Sequence, residues 1–488
     1  MQSTENTMTV DYDGVIIGGT LQGREAAALG AREGARMALV EPPGSGFRQL
    51  RRQLTLQILA QAAAASKPAS QWHQFLPPRP TPVPWAEVRQ RVSGYAARAY
   101  PHLSLGALAI AGVDVVLDQG QLSPRPQLAV TTAKRRLTGR RYLLCPDTIP
   151  TVPQIPGLAQ TPYLTADTLA DVATQPQDMV VLGGSADGIA IAQSLALLGS
   201  RVTLISRGDR LLPTEDPAMA TFVESLLRAA GVTVQVGAKI DQICDRTLAD
   251  RAGIEIEWTD RAPQRFEHLL LATARQPDVL SLDLDRVGII THRNYIPVDD
   301  RLQTTHPRVF ACGPALGGYW AETTDHQDVA IALRNALYLP RRQLMSLHRI
   351  GHLPTVPGYG RLGFTATQAQ HWYGADAQIL HISLDQVANA QTLGDITGFC
   401  RWVVHRDGRL LGVQLCSPNA SDLIQSLASL MQQGSRIQQW ESWPQLPHTL
   451  AAIVPQLATR WQQHRWQPGT WRRDWAENWF NWRRSRGQ

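Results

Sequence analysis

Glycines and a carboxylate at fixed spacing carry the first chemistry in this chain. Residues Val15 to Glu41 read VIIGGTLQGREAAALGAREGARMALVE: an apolar run, a glycine turn, a helical stretch, then a second apolar run closed by an acid. Gly18, Gly19 and Gly23 shape a turn that leads a strand straight into a helix, whose free N–H groups and dipole favour an anion. A pyrophosphate would sit there, and Glu41 would accept from a ribose hydroxyl. This is the β-α-β unit that holds the adenosine diphosphate half of a dinucleotide. The middle position of G-x-G-x-x-G is Thr20, where glycine ordinarily lets phosphate approach bare backbone. The side chain is expected to crowd that approach.

The pattern occurs twice. Met179 to Arg207, MVVLGGSADGIAIAQSLALLGSRVTLISR, again gives strand, turn, helix and strand. Gly183 and Gly188 hold the outer positions and Ser185 the middle one. The second strand ends in Ser206 and Arg207, a pair suited to a 2′-phosphate, whereas an acid there would bind a free 2′-hydroxyl. NADPH is therefore expected over NADH, the alternative being that Arg207 is a solvated loop residue. A chain of 488 residues exceeds one core and should divide into about three domains.

With these two units the chain resembles the pyridine nucleotide-disulfide oxidoreductases, the family of dihydrolipoamide dehydrogenase and mercuric reductase, from about Asp11 to about Ala452. The resemblance implies an α/β fold: two Rossmann-like dinucleotide-binding domains, for FAD and NAD(P), and a C-terminal α+β dimerisation domain. It assigns residues 1–150 and 273–345 to the FAD-binding-like domain, 151–272 to the NAD(P)-binding-like domain and 346–455 to the dimerisation-like domain. Residues 456–488 remain as a Trp/Arg-rich tail. FAD, NAD(P)H and a homodimer are the cofactors and assembly it implies. Gly313, within YIPVDDRLQTTHPRVFACGPALGG, would lie at the flavin's ribityl chain, where the family follows the glycine with an aspartate and this chain has Pro314.

Other departures fall on the family's chemistry. The stretch that should carry the redox-active disulfide, PPGSGFRQLRRQLTLQILAQ, keeps a helical frame in Leu50, Leu54, Ile58 and Leu59, but no cysteine precedes Cys145. Disulfide exchange needs an attacking and a resolving thiolate, so that route is closed. The first A-T-G turn is Cys145-Pro146-Asp147, and the nicotinamide-side glutamate is Ala190. The closing acid–base motif reads Pro447-His448-Thr449, with Ala452 in place of its glutamate, so His448 is expected to be structural. No residue is assigned a catalytic or metal-ligating role. Two readings follow. One is an FAD-dependent NAD(P)H oxidoreductase without disulfide reductase chemistry, reducing a small acceptor such as a quinone directly from flavin. The other is a non-catalytic scaffold or regulatory homodimer that has lost its cofactors.

The remaining features concern surroundings and partners. The five cysteines show no C-x-x-C or zinc spacing and are expected as small buried hydrophobes. The proline-rich stretch 66–84 is expected to be extended, and Ala111 to Thr132 to form a small β-rich insertion. The opening residues lack the signal-peptide pattern, and no uncharged apolar run approaches the roughly 20 residues that span a bilayer. A cytoplasmic protein, peripheral to a membrane at most, is the expectation. From Arg460 onward seven arginines face only Asp474 and Glu477, which accounts for most of the net charge of +6; nucleic-acid binding is not expected. Six of the fourteen tryptophans lie at 461, 466, 471, 475, 479 and 482. The last four follow one helix face, with Thr470 placed to cap it. Such a helix fits a membrane surface or a protein partner, or else folds back on the chain itself.

Overall fold

The computed structural model describes residues 10–45, 48–66, 83–246, 253–317, 326–341, 349–444, 446 and 449–486. The expectations on residues 67–82 of the proline-rich stretch and on His448 lie outside the described residues. Two compact units divide the chain between residues 345 and 346.

In the first unit, five parallel strands stand in the order Val309–Ala311, Gly139–Leu144, Tyr12–Ile17, Met37–Glu41, Asp114–Leu117. Parallel strands are covered on both faces, which is why Val15–Ile17 and Met37–Val40 are unbroken apolar runs. Helix α1 (Leu21–Arg32) joins the first strand to Met37–Glu41, and α2 (Arg48–Ser66), α3 (Trp85–Arg98) and α4 (Leu105–Ile110) follow. The expected β-rich insertion supplies the edge strand Asp114–Leu117. It also supplies a small antiparallel sheet of Gln121–Ser123, Ala129–Thr131 and Arg136–Leu137.

The second β-α-β unit opens a parallel sheet in the order Thr233–Gln235, Arg201–Ile205, Asp178–Leu182, His268–Leu271. It carries α5 (Ala186–Leu197) and α6 (Pro217–Ala229). The chain then rejoins the first sheet at Val309–Ala311. Helix α7 (His326–Leu337) buries Val329, Ala332 and Leu333 in one cluster with Ala26 and Ala27 of α1.

The second unit is built on five antiparallel strands: Ile350–Leu353, Gly358–Gly363, Leu410–Ser417, Phe399–His405 and Ala377–Ser383. Around it lie α8 (Ala366–Tyr373), α9 (Ala388–Leu393), α10 (Ala420–Gln432), α11 (Ile453–Arg465) and α12 (Trp471–Arg486). Thr365 and Gln368 close a capping box on α8. Helix α11 runs unbroken past residue 455, and its Val454, Leu457, Ala458 and Trp461 join Trp402 and Trp440 in the core. Trp461 is therefore a core residue rather than part of a tail, because an apolar row continues along that helix. Thr470 also differs from expectation. Its hydroxyl donates to the Arg465 and Gln467 carbonyls, closing the turn after α11 instead of capping α12. No helix among the described residues is long and apolar enough to cross a membrane.

Candidate functional site

The strand Tyr12–Ile17 ends in Gly18, whose φ of 119° is open to glycine. A Cβ there would lie 1.9 Å from the Cys145 carbonyl oxygen, and one on Gly23 would lie 2.2 Å from the Gly18 carbonyl oxygen. The close strand-to-helix turn thus depends on both residues. Thr20 is the N-cap of α1: its hydroxyl accepts from the Gly23 N–H at 3.2 Å and donates to the Cys145 carbonyl at 3.1 Å. A helix N–H available to a phosphate is engaged by the chain itself.

Glu41, expected to face a ribose, accepts from Arg24 at both carboxylate oxygens, 3.1 Å from Nε and 2.7 Å from Nη2. Arg24 also donates to the Leu103 carbonyl, and both members of the pair are buried. Gly19 lies against this carboxylate, since a Cβ on it would meet Glu41 Oε2 at 2.2 Å. Beside them, a Cβ on Gly313 would meet the Gln22 side chain at 3.3 Å. Gln22 is buried, and neither its amide nitrogen nor its oxygen has a hydrogen-bond partner among the described residues; the same holds for Gln49 on α2. Pro314 is buried after Gly313.

The second turn repeats this chemistry. Gly183 has a φ of 126°, and its Cβ would meet the Ala272 carbonyl oxygen at 2.2 Å. Ser185 caps α5, accepting from the Gly188 N–H at 3.3 Å and donating to the Ala272 carbonyl at 2.7 Å. The two turns differ in access. Residues 18–24 are all buried, whereas 183–187 are half-buried. Arg207 is exposed in the following loop, and Ala190 is buried in α5.

Between the turns runs a chain of ion pairs that sequence reasoning missed. Arg52 of α2 is fully buried and donates through Nη1 to Asp187 at 3.0 Å, on the first turn of α5. Its Nε lies 3.9 Å from Asp167, and Arg275 Nη1 pairs with the same acid at 2.9 Å. Arg275 also donates to the Thr148 hydroxyl and carbonyl. Asp147, which closes the first A-T-G turn in place of a glycine, accepts from the Thr148 N–H at 2.7 Å and pairs with Arg48 at 3.3 Å. Burial pushes its carboxyl above the ordinary value, opposed by that N–H and by Arg48 and Arg275. The available signal is three arginines, 48, 51 and 52, opening a helix with no other charged residue.

Cys145, Cys312, Cys400 and Cys416 are buried and Cys244 is half-buried, close to the expectation of small hydrophobes. Cys145 and Cys312 end neighbouring strands with their sulfurs 3.3 Å apart. Their shared hydrogen bond, then burial, holds the Cys312 thiol well above its ordinary pKa.

Comparison with known proteins agrees with this architecture. The model of the pyridine nucleotide-disulphide oxidoreductases matches residues 12–332, and that of their dimerisation domain matches 353–445. The mercuric reductase of Staphylococcus aureus is 24% identical over 445 residues, 90% of this chain and 81% of that one. The mercuric reductase of Bacillus cereus is 30% identical over 59% of this chain, a match that takes in 46% of its own length. The HOCl-induced flavoprotein disulfide reductase RclA from Escherichia coli shares the fold at a TM-score of 0.75 and 23% identity, covering 92% of this chain and 99% of that one. Members of the family bind FAD and use NAD(P)H as substrate. The glycine-shaped turns and the unpartnered buried carboxamide of Gln22 fit such nucleotides, with Thr20 and Arg24 as competitors for the same anchors. By matched length, by fold and by its paired nucleotide turns, the chain belongs to the pyridine nucleotide-disulphide oxidoreductases, a family of FAD-dependent oxidoreductases with a homodimerisation domain.

Proposed function

We propose that this chain is an FAD-dependent NAD(P)H oxidoreductase that reduces a small acceptor, such as a quinone, without disulfide reductase chemistry. The observation that carries the reading is a contrast. Both turns keep the glycine-shaped passage from strand to helix, while α2 offers arginines to Asp147 and Asp187 and contains no cysteine. In this reading Gly18, Gly19, Gly23 and the N-terminus of α1 receive the FAD pyrophosphate. Glu41 takes the ribose, and Gly313 with the Gln22 carboxamide takes the ribityl side. Gly183 and Gly188 receive the pyridine nucleotide, and Arg207 its 2′-phosphate, which favours NADPH. When bound, FAD supplies two-electron exchange between the nicotinamide and an acceptor. The chain's own residues position the two turns: Arg52 ties α2 to the first turn of α5, and Arg275 with Asp167 braces the crossing at Thr148. Glu41 must exchange Arg24 for the ribose. A charged hydrogen bond contributes ~1.5–3 kcal/mol, so FAD affinity falls about ten- to a hundredfold below that of an open cradle. The protein acts as a homodimer in the cytoplasm, with its C-terminal helix as a docking arm for a membrane or protein partner.

A second reading, a non-catalytic homodimeric scaffold, is favoured by the complete burial of residues 18–24 and 41 behind the Arg24–Glu41 pair. One experiment separates the two. The purified dimer is titrated with FAD, followed by its flavin absorbance, then supplied with NADPH and a quinone or a disulfide. Saturable flavin binding with quinone-dependent NADPH oxidation supports the oxidoreductase. No flavin binding at any concentration leaves the scaffold, and NADPH-driven reduction of lipoamide or glutathione disulfide overturns the exclusion of disulfide chemistry.

A further inference from the structure

Helix α12 leaves its largest apolar side chains in water. Trp471, Trp475, Trp479 and Trp482 are exposed at 70%, 60%, 44% and 44%, and no residue of the helix is buried. Folding back on the chain is therefore not how these indoles are covered. At 3.6 residues per turn the four fall within an arc of about 80°. Within that arc the Trp475 and Trp479 rings stack with centroids 6.0 Å apart, and Trp479 and Trp482 follow at 5.0 Å.

Charge is distributed around this stripe unevenly. Helical spacing puts Arg472, Arg483 and Arg486 along one edge of the arc. Arg472 lies 4.9 Å over the Trp471 ring and Arg486 lies 4.4 Å over the Trp482 ring. Glu477 falls on the far side, where it pairs with Arg473 at 2.5 Å, and Asp474 flanks the opposite edge of the arc, beside Trp471. The helix thus presents indoles bordered on one edge by three guanidinium groups and on the other by a single carboxylate. Pro468-Gly469 separates it from α11, which Trp461 anchors in the core of the second unit.

We propose that α12 docks on an anionic phospholipid surface, lying in the plane of the interface with its indoles at the headgroup level and its edge arginines on lipid phosphates. Indoles pair an apolar body with a polar N–H and concentrate at that depth. Guanidinium groups on aliphatic stems reach back to the phosphates, and basic residues near such a surface are attracted to its negative potential. An uncharged surface would satisfy the stripe but not its arginine edge, so charge complementarity selects the anionic one. Attachment of this kind is peripheral. The proposal stands whether or not flavin binds.

The test is co-sedimentation of the full chain with vesicles of phosphatidylcholine alone and of phosphatidylcholine mixed with phosphatidylglycerol. Binding is expected to the mixed vesicles and to weaken as salt is raised. Each of Arg472→Gln, Arg483→Gln and Arg486→Gln should weaken it about fivefold. Trp475→Ala with Trp479→Ala should weaken it more than tenfold, with the far-ultraviolet spectrum and dimer mass unchanged. Equal binding to both vesicle types, or none, overturns the proposal. So does a change of oligomeric mass on deletion of residues 467–488, which would make the stripe a contact between copies. Tail-dependent binding of single-stranded nucleic acid without vesicle binding overturns it as well.

Discussion

Arg24 donates from Nε and Nη2 to the two carboxylate oxygens of Glu41, at 3.1 and 2.7 Å, with both side chains buried. The acid placed to read a ribose is thus the acid that a neighbouring helix residue neutralises. Removing one partner of a buried pair strands the other, at a cost of ~3–5 kcal/mol. Arg24→Ala is therefore expected to lower the unfolding free energy by about that amount in urea. Added FAD should recover part of the loss by binding only the folded state. An unchanged midpoint would show that the pair contributes nothing net.

The two hydroxyl caps give a second expectation. Thr20→Ala and Ser185→Ala each remove an N-cap acceptor and should each cost ~1 kcal/mol. They lie on different helices and share no partner, so the double substitution should cost the sum. Thermal unfolding of the three variants measures this. Thr20→Gly should cost less in stability and also bind FAD more tightly than the parent, because it frees the helix N–H for phosphate.

Asp147 makes stability depend on pH in a defined direction. Burial raises its carboxyl pKa above the ordinary 3.8, so the folded chain holds the proton more tightly than the unfolded chain. Relative stability from this group is fully present below that ordinary value and is lost as pH rises through the raised one. Asp147→Asn should then be more stable than the parent at neutral pH, with the advantage vanishing as the solution is acidified to about 4 or below. Denaturation midpoints across a pH series give the difference. A constant gap at all pH values would contradict it.

Trp461 and Trp475, fourteen positions apart, should respond very differently to truncation. Trp461 is fully buried among Trp402, Trp440 and Leu457, and Trp461→Ala should cost ~3–5 kcal/mol. Trp475 is exposed at 60%, and Trp475→Ala should stay within about 0.5 kcal/mol of the parent. Urea melts of the two variants decide it.

What could be read from the sequence was what short-range pattern controls. Both β-α-β turns follow from apolar runs punctuated by glycine, while the division into domains and the C-terminal antiparallel unit come from the family resemblance those turns carry. The sequence also flagged position 20, but as an obstruction. That its hydroxyl caps α1 and bridges to the carbonyl of Cys145, 125 residues along, needs the strand Gly139–Leu144 set beside Tyr12–Ile17. Arg24, Gln22 and Arg52 were invisible for the same reason: a polar residue on a helix is ordinarily solvated, and only tertiary packing buries it. Composition groups Trp461 with the later tryptophans, although the row Val454, Leu457, Ala458, Trp461 continues one apolar face.

The first sheet cannot be completed in the order in which it is written. Its edge strand Val309–Ala311 pairs with Gly139–Leu144, and the whole second nucleotide module lies between them. During synthesis the inserted module emerges as a contiguous piece and can close its own sheet, from Asp178–Leu182 to His268–Leu271, while the first remains open along one side. Folding of the first module is thus timed by the length of its insert. Its late, long-range closure is the step most open to misassembly.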